Sequence, residues 1–133
     1  MSGARRDRER PGLTLPPPED DQADALFREL YDRYPRGSHA QDAAWKYGWT
    51  AYRKGHYAEV VRVFEHAAFD FPRSDYRPAW LYWTGRAHDQ LGESAVARDR
   101  YMLADADYMY SYYGRLALKR LDASAAARIV VVR

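Results

Sequence analysis

A 37-residue interval organises this sequence. Tyr34-Pro35-Arg36 returns as Phe71-Pro72-Arg73, Gly48 as Gly85, Gly55 as Gly92, Ala58 as Ala95, Phe64 as Tyr101 and Ala67 as Ala104, each pair 37 positions apart. One or two such matches arise by chance; six in one register do not. Self-similarity at a period of this size marks supersecondary units that cannot bury their apolar face alone and gain stability by stacking.

Each unit reads as helix, tight turn, helix. The pattern predicts a helix over 41–54 ended by Gly55, whose missing Cβ permits the backbone turn a helix end needs. A second helix over 57–70 stops before Pro72. The next unit has a helix over 76–91, a break at Gly92 and a helix over 94–105. A further helix over 111–121 opens a third unit. Ahead of the repeats, Ala23, Leu26, Phe27, Leu30, Tyr31 and Tyr34 recur at three- and four-residue steps, one buried helical face that Pro35 terminates. No stretch alternates with period 2, so the fold class is all-α, with about five to six helices. The run Ile129-Val130-Val131-Val132 has strand propensity but no evident partner.

Three regions follow from this. Residues 1–19 read as a disordered leader, with Arg5, Arg6, Arg8 and Arg10 among acidic residues and a Pro16-Pro17-Pro18 run that helix does not cross. The repeat domain occupies 20–121, and 122–133 is expected to be a poorly ordered tail. The first helix of the third unit has no evident second helix behind it. That predicts either self-association through an open C-terminal end or origin in a longer protein.

Composition narrows the function classes. The 133 residues are 47% hydrophobic, too much for a disordered chain, and 21 Lys and Arg stand against 19 Asp and Glu. A formal charge of +2 with no basic run makes no electrostatic case for nucleic acid. Without cysteine there is no disulfide, thiolate metal site or cysteine nucleophile. No run approaches the roughly 18 apolar residues of a membrane helix, and 1–21 lacks the apolar core of a secretory signal. His39, His56, His66 and His88 form no ligand-spaced pattern, and no phosphate loop or nucleophile elbow is present. No catalytic, metal or cofactor residue is therefore assigned. His88 lies at a packing position of its repeat and reads as a core residue with a polar tip.

The residues Gly48, Gly55, Tyr57, Phe64, Ala67 and Pro72 resemble a tetratricopeptide repeat. Ala44, Ala51 and Val60 depart from that pattern, and His88 departs from it in the second copy. The period exceeds the roughly 34 residues of the standard repeat. The resemblance implies a right-handed α-solenoid of antiparallel helix hairpins. A narrower likeness rests on Pro78-Ala79-Trp80-Leu81-Tyr82-Trp83-Thr84-Gly85-Arg86-Ala87, on Leu91-Gly92, and on Tyr112-Tyr113-Gly114-Arg115-Leu116-Ala117-Leu118-Lys119-Arg120-Leu121. These runs are similar to the helical superhelix of soluble lytic transglycosylases, over about residues 26–121. Their catalytic Glu-Ser motif and Gly-Leu-Met-Gln segment have no counterpart here. Glu93-Ser94 lacks the following segment and suits the start of a helix instead.

The resemblance also implies a concave groove on the first helices. Its positions carry over to Asp42, Trp45, Trp49, Tyr52 and Arg53, then Tyr82, Arg86 and Asp89, then Arg115. Rings with Arg and Asp between them can stack on sugars or grip an extended peptide. The competing reading is that aromatic stripes at helical spacing are core, and Trp80 and Trp83 are assigned to packing on that ground. The expected function is a non-catalytic scaffold that holds a protein, a peptide or a peptidoglycan strand in the cell envelope, periplasmic by resemblance although the chain shows no export signal. The alternatives are a protein-interaction adaptor similar to envelope-assembly lipoproteins, whose repeat boundaries Phe71-Pro72-Arg73-Ser74 also fits, or a fragment of a full transglycosylase.

Overall fold

The computed structural model describes the backbone of residues 18–132 and the side chains of 22–125. Six helices make up this span, with no strand among the described residues: α1 (Pro18–Arg33), α2 (Ala40–Arg53), α3 (Tyr57–Asp70), α4 (Arg77–Gln90), α5 (Ser94–Tyr108) and α6 (Tyr112–Val132). Most of the expected leader lies outside the described residues. Its last two positions, Pro18 and Glu19, open α1, where proline lacks only a donor that the first turn leaves unused.

The two glycine turns share one geometry. Gly55 has φ 79° and Gly92 φ 78°. His56 N–H bonds the Ala51 carbonyl at 2.8 Å and Gly55 N–H that of Tyr52 at 3.0 Å. One period later, Glu93 N–H bonds the His88 carbonyl at 2.9 Å and Gly92 N–H that of Asp89 at 3.1 Å. This paired closure of the last carbonyls is the Schellman motif, and its left-handed residue is the reason each turn needs glycine. Helices joined by so short a link fold back on each other as hairpins, α2 on α3 and α4 on α5.

Inside each hairpin a ring fills a hole. A Cβ added at Gly48 would run into the Phe64 ring, and one added at Gly85 would lie 2.6 Å from Cε1 of Tyr101. Phe64 is fully buried and Tyr101 is 4% exposed. The mid-helix glycine, which costs about 1 kcal/mol against alanine, is thus the condition for the ring to seat. Ala67 and Ala104, both fully buried, let the second helix approach as closely.

Each helix packs chiefly on the next along the chain, and a lesser contact, between α4 and α6, skips a helix. That nearest-neighbour order is the packing of an α-solenoid. Polar ties accompany it: Tyr31 of α1 donates to the Val63 carbonyl of α3 at 3.4 Å, and Arg62 pairs with Asp32 at 3.3 Å.

The end of the chain departs from expectation. The predicted helix over 111–121 runs on to Val132, so the segment beyond Leu121 is helical in its backbone. Ala123, Ala125, Ala126 and Ala127 are the best helix formers, and among the described residues there is no strand for the valine-rich run that follows to pair with. The start of α6 is tightly specified. Ser111 Oγ accepts Gly114 N–H at 3.0 Å, an N-cap bond, and a Cβ on Gly114 would collide with the Tyr108 carbonyl. The Tyr-Tyr-Gly run therefore marks a point where α6 begins against the end of α5.

Candidate functional site: the first-helix aromatic face

Trp45, Trp49 and Tyr52 form a ladder along α2. Neighbouring centroids are 5.7 and 6.1 Å apart and the planes are within 14° and 2° of parallel. Trp45 is also stacked on Phe64 at 5.8 Å and on Tyr76 at 6.1 Å. From α4, Trp83 meets Trp49 at 4.9 Å and Tyr52 at 5.0 Å, both edge-on, and Tyr82 at 5.1 Å. Tyr82 continues the chain of rings to Tyr113 of α6 at 5.6 Å. One aromatic seam thus joins α2, α4 and α6, the three first helices.

The exposure of the rings bears on what they can offer a ligand. Stacking on a sugar uses the face of a ring. The Trp49 plane runs near parallel to those of Trp45 and Tyr52, all three rings are partly exposed, and Tyr82 is only 4% exposed. Trp80, by contrast, is fully buried.

The charged groove positions divide in the same way. Asp42 is paired with Lys46 at 3.1 Å and accepts the Tyr76 hydroxyl at 3.1 Å. Asp89 is turned toward α5 and α6, where it accepts the Tyr101 hydroxyl at 2.6 Å and meets Arg120 at 3.5 Å. It lines a cavity of about 290 Å³ there. Arg86 lies 5.5 Å from the Trp83 ring centroid and donates from Nη1 to the Tyr82 hydroxyl at 3.0 Å. The Arg86 Nε and Trp83 Nε1 donors are buried without a hydrogen-bond partner. Arg53 and Arg115 are exposed. Burial raises the Tyr52 hydroxyl pKa, against the pull of the Arg86 charge.

The structure therefore gathers Trp45, Trp49, Tyr52, Tyr82 and Arg86 into one face, with Asp42 at its edge and the exposed Arg53 next to Tyr52, whereas Arg115 lies about 200° around α6 from Tyr113 and away from the seam. Asp89 belongs to a different surface. Trp83, which the sequence assigns to packing, stands at the centre of the face and is partly exposed.

No family model matches this chain, nor does any curated protein. What the site can do thus rests on its own chemistry. Among the described residues, no group of three or more His, Asp and Glu side chains is placed to hold a metal ion, and no helix is long and apolar enough to cross a membrane.

Two features escape the motif reading. A cavity of about 520 Å³ lies between α3 and α5, lined by Phe69, Leu81, Leu103, Glu65 and Arg100 among others. Leu81 and Trp83 are two residues apart, about 200° around the helix, so this cavity and the aromatic face occupy opposite sides of α4. The second feature is a polar cluster behind the cavity. His88 bonds Glu93 through Nδ1 at 2.9 Å and Glu65 through Nε2 at 3.1 Å, and Arg100 Nε donates to Glu65 at 2.6 Å. Glu93 holds the N-cap position of α5 yet makes no capping bond with its side chain, which goes to His88 instead. Burial opposes the Glu65 charge, but the Arg100 and His88 hydrogen bonds outweigh it and hold its carboxyl below the ordinary range.

Proposed function

We propose that this chain is a non-catalytic helical-repeat scaffold whose first-helix face holds an extended, acidic segment of a partner protein. The observation that carries the reading is the imbalance of that face. Its carboxylate, Asp42, is engaged within the fold. Its cations are open to a ligand: Arg53 is exposed and Arg86 partly so. Guanidinium groups that reach solvent can pair with the carboxylates of a ligand. The tie between Glu93 and His88 supports a structural rather than catalytic use of that glutamate. The likeness of the Trp80 and Tyr112 runs to the helical region of lytic transglycosylases supports a cell-envelope, periplasmic setting, and it keeps a peptidoglycan strand as the second reading.

Tryptophan fluorescence tests this directly, since Trp45, Trp49 and Trp83 share the face. An Asp- and Glu-rich peptide should change the emission and bind more weakly as salt rises. Arg86→Ala should weaken binding by about tenfold, the order of one charge-assisted hydrogen bond. Saturation by a muropeptide without response to the peptide would replace this reading with the glycan one. Silence toward both would remove the face as a binding site.

A further inference from the structure

The two outer helices of the stack play different parts in the repeat. One period carries α1 onto α3 and α3 onto α5, so α1 stands as a second helix, whereas α6 follows α2 and α4 as a first helix. Each therefore carries the half of a hairpin interface that the other lacks.

On α2 the hairpin face centres on Gly48, which receives Phe64, with Ala44 and Ala51 a turn to either side. On α4, Leu81 and His88 flank Gly85 in the same way, and all six residues are buried. The same places on α6 hold Leu118, Asp122 and Ala125, and all three are exposed, Leu118 at 43%. Among the described residues no helix covers them. The face left open on α1 is the counterpart. Phe27 stands at the register place of Phe64 and Tyr101 yet is only partly buried. Leu26, in the place of the fully buried Val63, is 66% exposed.

Charge matches the two halves. α1 holds six Asp and Glu against two Arg, a net −4, and α6 holds four Lys and Arg against one Asp, a net +3. Arg115 and Lys119 are exposed on the same side of α6 as Asp122. Asp122 stands where the other first helices have glycine. The ring due to meet it brings a cation along, since Lys46 Nζ lies 4.7 Å from the Phe27 centroid.

We propose that copies of this chain dock head to tail, with α1 of one copy lying as a second helix on the open face of α6 of the next. The hairpin pattern then continues across the junction. Because the two surfaces differ, the contact is heterologous and builds rings or filaments. Burial of Leu26, Phe27 and Leu118 supplies the apolar attraction, and the opposite net charges orient the encounter. The junction stands whether or not the aromatic face binds a peptide.

Sedimentation of the full chain over a rising concentration series tests this. The mass should grow beyond that of a dimer, and less so as salt rises. Leu26→Asp blocks the α1 surface and Leu118→Asp the α6 surface, with circular dichroism to check that each variant folds. Lys119→Glu replaces the second variant if it does not. Each variant alone should lose the association, since the contact needs both surfaces. An equimolar mixture should recover a complex limited to two chains, because one intact α6 and one intact α1 remain. A chain that stays monomeric through the series leaves the α6 face to some other helix and overturns the proposal. Self-association of either variant alone, which marks a symmetric contact, or a mixture that stays monomeric, overturns it too.

Discussion

Gly85→Ala should destabilise a helix that ordinary propensity says it would strengthen. The new Cβ would stand 2.6, 2.8 and 3.0 Å from Cε1, Cδ1 and Cζ of Tyr101. Carbon atoms pack at about 3.5–4.0 Å, so the ring must retreat by roughly 1 Å. It has little room, being 4% exposed, and its hydroxyl is held by Asp89 at 2.6 Å. Overpacking of this kind costs about 1–3 kcal/mol, and stretching the bond to Asp89 adds to it. Alanine returns about 1 kcal/mol of helix propensity, leaving a net loss of about 2 kcal/mol. For a domain of this size that lowers the melting temperature by roughly 8 °C, measurable by circular dichroism. The control is a double-mutant cycle with Tyr101→Leu. With the ring gone, Gly85→Ala should be neutral or stabilising by up to about 1 kcal/mol. If Gly85→Ala stabilises the native chain, or costs as much without the ring as with it, the ring-in-hole account of the hairpin is wrong.

Two further outcomes follow from the same packing. Gly114→Ala should be worse tolerated than Gly85→Ala, costing about 3 kcal/mol, because its Cβ would meet the backbone carbonyl of Tyr108 rather than a side chain that can shift. Hydrogen exchange should then rise selectively in α6, and a uniform rise through α2–α5 would contradict this. Alkaline pH should also unfold the chain. Burial, aided by the Asp70 charge, pushes the Tyr31 hydroxyl up to about 12, and burial with bonds to Glu59 and Asp89 raises Tyr47 and Tyr101. The protonated phenols favour the fold, so their contribution is complete below about pH 10 and declines as pH climbs toward 12. Tyrosinate absorbance should lag behind that of the denatured chain over this window. Coincident titration of the folded and denatured chains would refute it.

Much of this architecture is written in local chemistry. Gly55 and Gly92 must end helices because only glycine takes a left-handed residue without strain. Gly48 with Phe64, and Gly85 with Tyr101, announce a hole and its occupant by recurring 37 residues apart. Helix existence, hairpin pairing and stacking order all follow from such signals, since each depends on residues close in sequence or repeated in register. The end of α6 was not legible at Leu121, because alanine propensity extends the helix after the apolar pattern fades.

The site is a different case. Helical periodicity assigns Tyr82, Arg86 and Asp89 to one stripe, yet the third turns to Tyr101 and Arg120 while the second stays over Trp83. Trp80 and Trp83 look alike in the sequence, and only the approach of α2 makes one core and the other the centre of a face. His88 could be placed at a packing position, but its two carboxylates come from α3 and from beyond a turn. A residue's own helix sets its direction. What it meets in that direction depends on the rotation and distance of neighbouring helices, and those follow from the packing of the whole stack.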